Sequence, residues 1–498
     1  MTNWQTVKKH WVERWPDWHP IILEYLWRQD IDVESVGNVV RFNYESDLHD
    51  PFLLPDMAIA VERIITALHK DQKIVIFGDY DADGLPGIAI LDAFFKKIEF
   101  NNYELQVPDR NIDGFGLKDI HIERLITGGC DLVITVDCGS ASIGALELAK
   151  DNNLDVIVTD HHEVPDVFPA DKVIALVNPM VKDSSYPYKN ICGAAVVFKL
   201  VQALLDTISN SNQTWSEVLG NKCSNIVPGW EKWLLDLVAI ATVGDMMPLR
   251  DENRALVHYG LQVLNKTRNY GLRALIDNSR LERGSINETD IGFRIAPRIN
   301  AASRVGDVQA ALDLLTATDP LSANRAAGKL ETLNKERKNM VTQMVKQAHK
   351  ILGPKQNYDS KVIVIGNPEW LPGVCGLLAS RLVEEYGVSA FVWGRGPGTK
   401  LKGSCRAASG DNVYDLMSQV SEDILEGYGG HIGAGGFVLR PTAADELQPA
   451  LEKIIHNQVA AETNALADHT STKNLIDLKN NIQLIDQPVI IKMKRTFL

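Results

Sequence analysis

The chain has few of the features that would place it at a glance. Six cysteines occur in 498 residues, at positions 130, 138, 192, 223, 375 and 405, and none are spaced as Cys-x-x-Cys. That density is far below a disulfide scaffold and fits a reducing, cytoplasmic compartment. No run of about 18 apolar residues exists, so no membrane span is expected. Residues 1–20 carry Trp4, Lys8, Lys9, His10 and Trp11 without an apolar stretch, so no signal peptide is expected. Solenoid repeats and long low-complexity segments are missing too. Positive charge is also in deficit: 51 Lys and Arg face 64 Asp and Glu, for a net charge of −13. That balance argues against a protein that coats nucleic acid with a uniformly basic surface.

What is there is ordinary in bulk. A hydrophobic fraction of 45% and a charged fraction of 23% describe a soluble globular protein. At roughly 100–200 residues per domain, the length predicts two to four domains. The first 70 residues read as amphipathic helix, ending in Met57 to Leu68 with apolar residues at three- and four-residue spacing. The pattern then changes. Lys73–Phe77, Asp131–Val136 and Asp155–Thr159 are short, continuous, β-branched runs separated by helical sequence such as 142–150. This predicts an α/β unit with a parallel sheet buried on both faces. A polar stretch around 209–228 reads as a surface insertion, and helical sequence resumes at Trp230 and runs to Val243. Residues 323–352 read as one long helix carrying seven Lys and Arg against Glu331 and Glu336. A second α/β unit begins at Lys361 and ends near Leu439.

Each apolar run of the first unit ends on acid or imidazole. Asp79-Tyr-Asp81-Ala-Asp83-Gly follows the first, Asp137 the second, Asp160-His161-His162 the third, and Asp245 a later helical stretch. Ligands of open α/β sheets gather at these carboxyl ends. A calcium loop is excluded, because position 90 is Ile where such a loop needs Glu. A single Asp after a strand is usually a helix cap, but four such groups on one sheet are hard to explain as caps. Carboxylates with imidazole suit two Mn²⁺ or Mg²⁺ ions, the equipment for hydrolysing a phosphorus–oxygen bond. We assign Asp81, Asp83, Asp137, His161 and Asp245 to the metals. Asp79 is either a further ligand or the group that orients the attacking water, and His162 serves phosphate contact or acid–base work. Cationic candidates for a phosphate backbone are Arg110, Arg294, Arg298, Arg381 and the Lys402-Gly-Ser-Cys-Arg406 turn. The Gly429-Gly-His431-Ile-Gly-Ala-Gly-Gly run adds backbone N–H groups.

These motifs, in this order, resemble the DHH phosphoesterase superfamily and, within it, the single-stranded-DNA-specific exonucleases. Asp-Pro-Phe at 50–52, Val107-Pro-Asp-Arg110, Val136-Asp-Cys-Gly, Val177-Asn-Pro, Cys192-Gly-Ala and Ala296-Pro-Arg-Ile-Asn-Ala-Ala carry the likeness in the first lobe. Gly373-Val-Cys-Gly376, Ala379-Ser-Arg-Leu382 and Gly429-Gly-His431 carry it in the second. The resemblance implies a 5′-to-3′ exonuclease that releases mononucleotides from single-stranded DNA in repair and recombination. It places the active site in a groove between a DHH catalytic lobe and a smaller DHH-associated α/β lobe joined by the long helix. It puts Arg298, Asn300 and Arg304 in the strand-contacting motif. Ser404 and Arg406 become holders of a terminal phosphate, and His431 part of a substrate-facing turn. The same likeness implies a monomer working with a single-strand-binding protein or helicase, away from membranes.

The expected organisation is a helical segment over 1–70, the catalytic domain over 71–320 and the connecting helix over 321–352. The DHH-associated domain comes next, over 353–440, with a short tail over 441–498. Four departures from the family stand out. Phe77 and Leu371 occupy positions where family members have His, Pro86 sits in the helix after the acidic loop, and the tail is too short for a complete OB-fold. The competing expectation is a DHH phosphodiesterase of short oligonucleotides or cyclic dinucleotides. Those enzymes lack the Asp-Pro-Phe and Ala-Pro-Arg-Ile-Asn-Ala-Ala segments.

Overall fold

Three apolar runs become the middle of a five-stranded sheet. In the computed structural model, which describes residues 3–37, 42–110, 112–210, 226–355, 358–395 and 400–468, β1 is Ile74–Gly78, β2 Tyr103–Gln106, β3 Leu132–Val136, β4 Asp155–Thr159 and β5 Ala175–Val177. The order is β2-β1-β3-β4-β5 and every pairing is parallel. All five residues of β1 and of β3 are buried, as both-face coverage by helices requires. Two strands escape the sequence pattern. β2 is a half-exposed edge strand without an apolar run, and β5 is only three residues long, within the apolar run Val173–Val177.

Helices Met57–His69, Gly84–Lys97, Gly193–Asn210 and Leu235–Gly244 contribute to one continuous core with β1, β3 and β4. The last is apolar nearly all round and buried along its length, including Asp236. Pro86 is the third residue of Gly84–Lys97, in the first turn, where no intrahelical N–H bond is lost. Phe77 is buried with its ring 4.9 Å from that of His121. The amino-terminal helices Trp4–Arg14 and Pro20–Arg28 build a separate small core from Trp4, Trp11, Leu23, Leu26 and Val36.

Contacts divide the chain into two units, the first holding Met1–Lys346 and the second most of the residues beyond it. The helix Pro320–Leu352 spans that division. The second unit has its own sheet, with β6 Val362–Asn367, β7 Ser389–Arg395, β8 Leu401–Arg406, β9 Leu425–His431 and β10 Ala434–Leu439 in the order β6-β7-β8-β10-β9. Only β6 and β7 run parallel; the other pairings are antiparallel. A helix Leu447–Asp468 comes after them, in the region expected as a tail. Most of the polar stretch at 209–228, and residues 469–498, lie outside the described residues. Among the described residues no helix is long and apolar enough to cross a membrane.

Candidate metal centre and phosphate contacts

The parallel sheet delivers four chain segments to one edge. Asp79 leaves β1, Asp137 leaves β3, Asp160, His161 and His162 leave β4, and Asp245 ends the helix Leu235–Gly244. Their ligand atoms form overlapping groups, each within 4.8 Å: Asp79, Asp81 and Asp137; Asp83, His161 and Asp245; Asp137, His161 and His162. Nε2 of His161 lies 3.1 Å from Oδ1 of Asp137, 3.6 Å from Oδ2 of Asp83 and 3.7 Å from Oδ2 of Asp245. Asp137 therefore sits between an all-carboxylate group and an imidazole–carboxylate group.

Backbone geometry holds these carboxylates. Oδ1 of Asp81 accepts the N–H groups of Asp83 (2.8 Å) and Gly84 (3.2 Å), which folds the acidic loop on itself. Both oxygens of Asp83 accept N–H groups at the start of the helix Gly193–Asn210, from Gly193 and Ala194 at 2.7 Å. These are two of the donors that a helix start leaves unpaired. Asp137 adopts a left-handed backbone, φ 59°, which Asp and Asn tolerate better than most residues. A Cβ on Gly193 would stand 2.6–2.8 Å from the Asp137 side chain, so only glycine fits there. Oδ1 of Asn300, a residue expected to contact a strand, accepts the N–H of Ala82 at 2.8 Å and braces the acidic loop.

The residues fit a pair of divalent ions. Oδ1 of Asp79 is buried without a hydrogen-bond partner, a costly state for an acceptor, and Oδ1 of Asp137 has no well-aligned donor, although Nε2 of His161 stands 3.1 Å from it. Burial first, then the neighbouring Asp81, raises the Asp79 carboxyl above its ordinary range. Burial and then Asp83, Asp81 and Asp79 do the same to Asp137. Asp245 is pushed up to about 8 by burial and by Asp83 and Asp81. Such a cluster stays ionised only with cations among it. Oxygen donors with one imidazole match Mn²⁺ or Mg²⁺. Burial lowers His161, against the pull of Asp83, leaving the neutral imidazole that ligation needs.

Sequence reasoning missed the role of Asp160. Its carboxylate is 1% exposed and accepts the N–H groups of Ser140 (3.0 Å), His161 (2.8 Å) and His162 (3.2 Å), and lies 2.8 Å from Nδ1 of His162. Burial alone would raise Asp160, but the bond and charge of His162, then His161 and the Ser140 N–H, hold it well below the usual carboxylate range. Burial likewise opposes the charge on His162, and Asp160 overrides it, pushing His162 up to about 9. Asn178 completes the arrangement, donating to Oγ of Ser140 and the carbonyl of His162 at 2.9 Å each. The Asp-His-His triplet and the Val-Asn-Pro motif were the available signals.

The cationic candidates are placed unevenly. The Arg110 guanidinium lies over the Tyr80 ring at 5.0 Å, beside the acidic loop. Arg298 is engaged internally, with Glu331 at 2.8 Å and the carbonyl of Arg294 at 2.7 Å. Arg304 closes the same helix, Ala296–Val305, one turn beyond Asn300. Arg294 pairs with Asp290 at 3.5 Å. In the second unit, Ser404 and Arg406 lie on β8, and a Cβ on Gly376 would meet Nη2 of Arg406 at 3.1 Å and Cβ of Ser404 at 3.4 Å. Those two residues therefore border the first turns of the helix Pro372–Tyr386. Arg381 does not join them: it lies five residues further along, on about the opposite side of the helix, exposed and 3.6 Å from Glu384. His431 is the exposed end of β9, opposite Ala434 of β10.

A parallel sheet ending in this carboxylate–imidazole cluster is the signature of DHH phosphoesterase cores. Residues 73–242 match the family model described as DHH family, N-terminal domain, and residues 359–457 match the DHHA1 domain. The chain belongs to the RecJ family. It is 34% identical over 444 residues to the single-stranded-DNA-specific exonuclease RecJ of Bacillus subtilis, across 89% of this chain and 53% of that protein. It is 30% identical over 415 residues to the protein of the same name from Dickeya dadantii, across 82% of this chain and 70% of the relative. A crystal structure of exonuclease RecJ bound to manganese matches with a TM-score of 0.67 and 31% identity, over 82% of this chain and 95% of that one. The chain spans about half the length of the Bacillus subtilis relative, 53%.

Proposed function

We propose that the chain is a metal-dependent 5′-to-3′ exonuclease that hydrolyses single-stranded DNA to mononucleotides, in the repair and recombination of DNA. The observation that carries this reading is Asp137, a buried carboxylate that belongs to two candidate ligand groups at once. Asp81, Asp83, Asp137, His161 and Asp245 hold two Mn²⁺ or Mg²⁺ ions, with Asp79 completing the carboxylate group. Bound there, such ions activate a water and stabilise the leaving oxygen of a phosphodiester. The chain's own residues do the rest. Asp160 fixes the His162 ring and keeps it cationic, so that it faces a phosphate oxygen or returns a proton to the leaving group. Asn300 and the amides of Gly193 and Ala194 keep the loop acids in place while charge changes beside them. Arg110 and Arg304 take strand phosphates, and Ser404 and Arg406 take a terminal phosphate. Residues 71–320, 321–352 and 353–440 serve as catalytic domain, connecting helix and substrate-binding domain. We further infer a cytoplasmic monomer supplied with strands by a single-strand-binding protein or helicase.

The test is direct. The protein is incubated with 5′-labelled single-stranded DNA, duplex DNA, RNA and a dinucleotide, each with Mn²⁺ and with chelator. The expected result is mononucleotide release from long single strands that stops in chelator. Cleavage of the dinucleotide alone would replace this reading with the small-substrate phosphodiesterase. Metal-independent release would overturn it.

A further inference from the structure

Away from the metal cluster, a cavity of about 360 Å³ is lined by Lys266, Arg268, Arg273 and Arg283, with Leu264, Asn265 and Ile276 among the other residues of its wall. Four cations around one cavity are unexpected in a chain with a net charge of −13. Arg283 is paired with Asp277. The other three are not neutralised by any carboxylate within ion-pair distance among the described residues. The Arg268 guanidinium instead lies 3.6 Å from the centroid of the Trp233 ring, with the Lys266 ammonium at 5.9 Å from the same ring. A guanidinium held by its face leaves its N–H edges free for a bidentate acceptor, the geometry that phosphate satisfies. Thr267 is turned away, with its hydroxyl donated to Asp236. Asp236 opens the helix whose far end carries Asp245, nine residues on, so cavity and metal cluster are about 13 Å apart along that helix.

We propose that this cavity is a second phosphate site that binds a nucleotide, either free as a nucleoside monophosphate or as part of a DNA strand. Its volume stands at the lower end of small-molecule sites, about 300–1,000 Å³, which a nucleotide fills and a bare anion does not. Arg268, Arg273 and Lys266 take the phosphate, and the sugar or base lies along the part of the wall formed by Leu264, Asn265 and Ile276. The site does not depend on the nuclease reading, because it needs neither metal nor turnover.

The experiment uses the full chain in chelator. Radiolabelled dAMP and inorganic phosphate are measured by equilibrium dialysis, and a 20-nucleotide oligo-dT by filter binding. Wild type is compared with Arg268→Ala/Arg273→Ala, with Arg268→Lys/Arg273→Lys, and with the remote charge control Lys8→Ala/Lys9→Ala. Melting curves confirm that each variant is folded. The expected result is that the alanine pair binds dAMP at least about tenfold more weakly, the lysine pair falls between, and the control is unchanged. If dAMP does not bind but oligo-dT shows the same ranking, the phosphate comes from a strand. Inorganic phosphate competing as well as dAMP would overturn nucleotide recognition. Wild-type binding of both nucleotide ligands by the alanine pair would overturn the site.

Discussion

Asp137→Asn should change the sign of its effect on stability when metal is added. In chelator, the wild-type carboxyl is buried, and burial and then Asp83, Asp81 and Asp79 raise its ionisation range, so holding it ionised costs stability. Keeping a buried charge without full compensation costs at least about 1–3 kcal/mol. An amide of the same shape removes the repulsion, and Asn accepts the φ of 59° at this position. Alanine is the wrong control here, since left-handed backbone costs an ordinary residue about 1–2 kcal/mol. We therefore expect Asp137→Asn to be more stable than wild type in chelator by about 1–3 kcal/mol. With Mn²⁺ at 100 times its dissociation constant, wild type gains about 2.7 kcal/mol per site and the variant little. The order then reverses, and turnover is lost in the variant. Urea denaturation of both proteins, with chelator and with Mn²⁺, reads all four values. A variant less stable than wild type in chelator, or one stabilised by Mn²⁺ as much as wild type, would refute the reasoning.

Gly193→Ala should cut turnover by about 100-fold, because its Cβ displaces the Asp137 carboxylate; wild-type rates at saturating Mn²⁺ would show that the contact is not critical. Asp236→Asn should flatten the pH dependence of stability. Burial, opposed by Thr267 and the Leu237 N–H, pushes Asp236 up to about 6 from an ordinary 3.8, so the native state holds this proton more tightly than the unfolded chain. The stabilisation is complete below about pH 4 and is lost as pH rises to about 6, on the order of 3 kcal/mol, while the amide variant lacks that fall in denaturation curves measured across the window. His161→Asn should abolish stabilisation by Mn²⁺, whereas His162→Asn should keep most of it and still lose turnover; equal loss of stabilisation in the two would contradict their separate roles.

The sheet was legible because β1, β3 and β4 are buried on both faces, which forces continuous apolar runs. The edge strand β2 is half-exposed, is under no such demand and left no mark, whereas the buried β5 lies in the apolar run Val173–Val177, which is too short on its own to distinguish strand from buried helix. The acids were legible for a related reason: a carboxylate at the end of a buried strand needs a purpose. What supports those acids was not. Ala82, Gly193 and Ala194 act through backbone N–H groups, which every residue but proline has, so no residue type announces them. Arg298 reads as a phosphate contact in sequence, and only the fold shows that its Nε also bonds Glu331, 33 residues on. Lys266, Arg268, Arg273 and Arg283 were passed over because their spacing fits no motif; only the fold gathers them around one cavity.

The Asp-His-His triplet shows how the fold divides what a sequence presents as one unit. Three polar residues in a row leave β4 together, yet their surroundings make three different reagents of them. Asp160 turns inward to backbone donors and a cationic partner, and stays ionised without metal. His161 turns toward Asp83, Asp137 and Asp245, where burial keeps it neutral. His162 turns back on Asp160 and carries the charge that its neighbour lacks. A cation fixed beside a cluster of acids is the element that a negative chain needs in order to admit a phosphate. On the proposed reading, metals would neutralise the acids from within, while His162 and the arginines would neutralise the substrate from without. On that reading the net charge of −13 is no obstacle to a polyanionic ligand, since the acids that weigh most in the site would face the ions and not the strand.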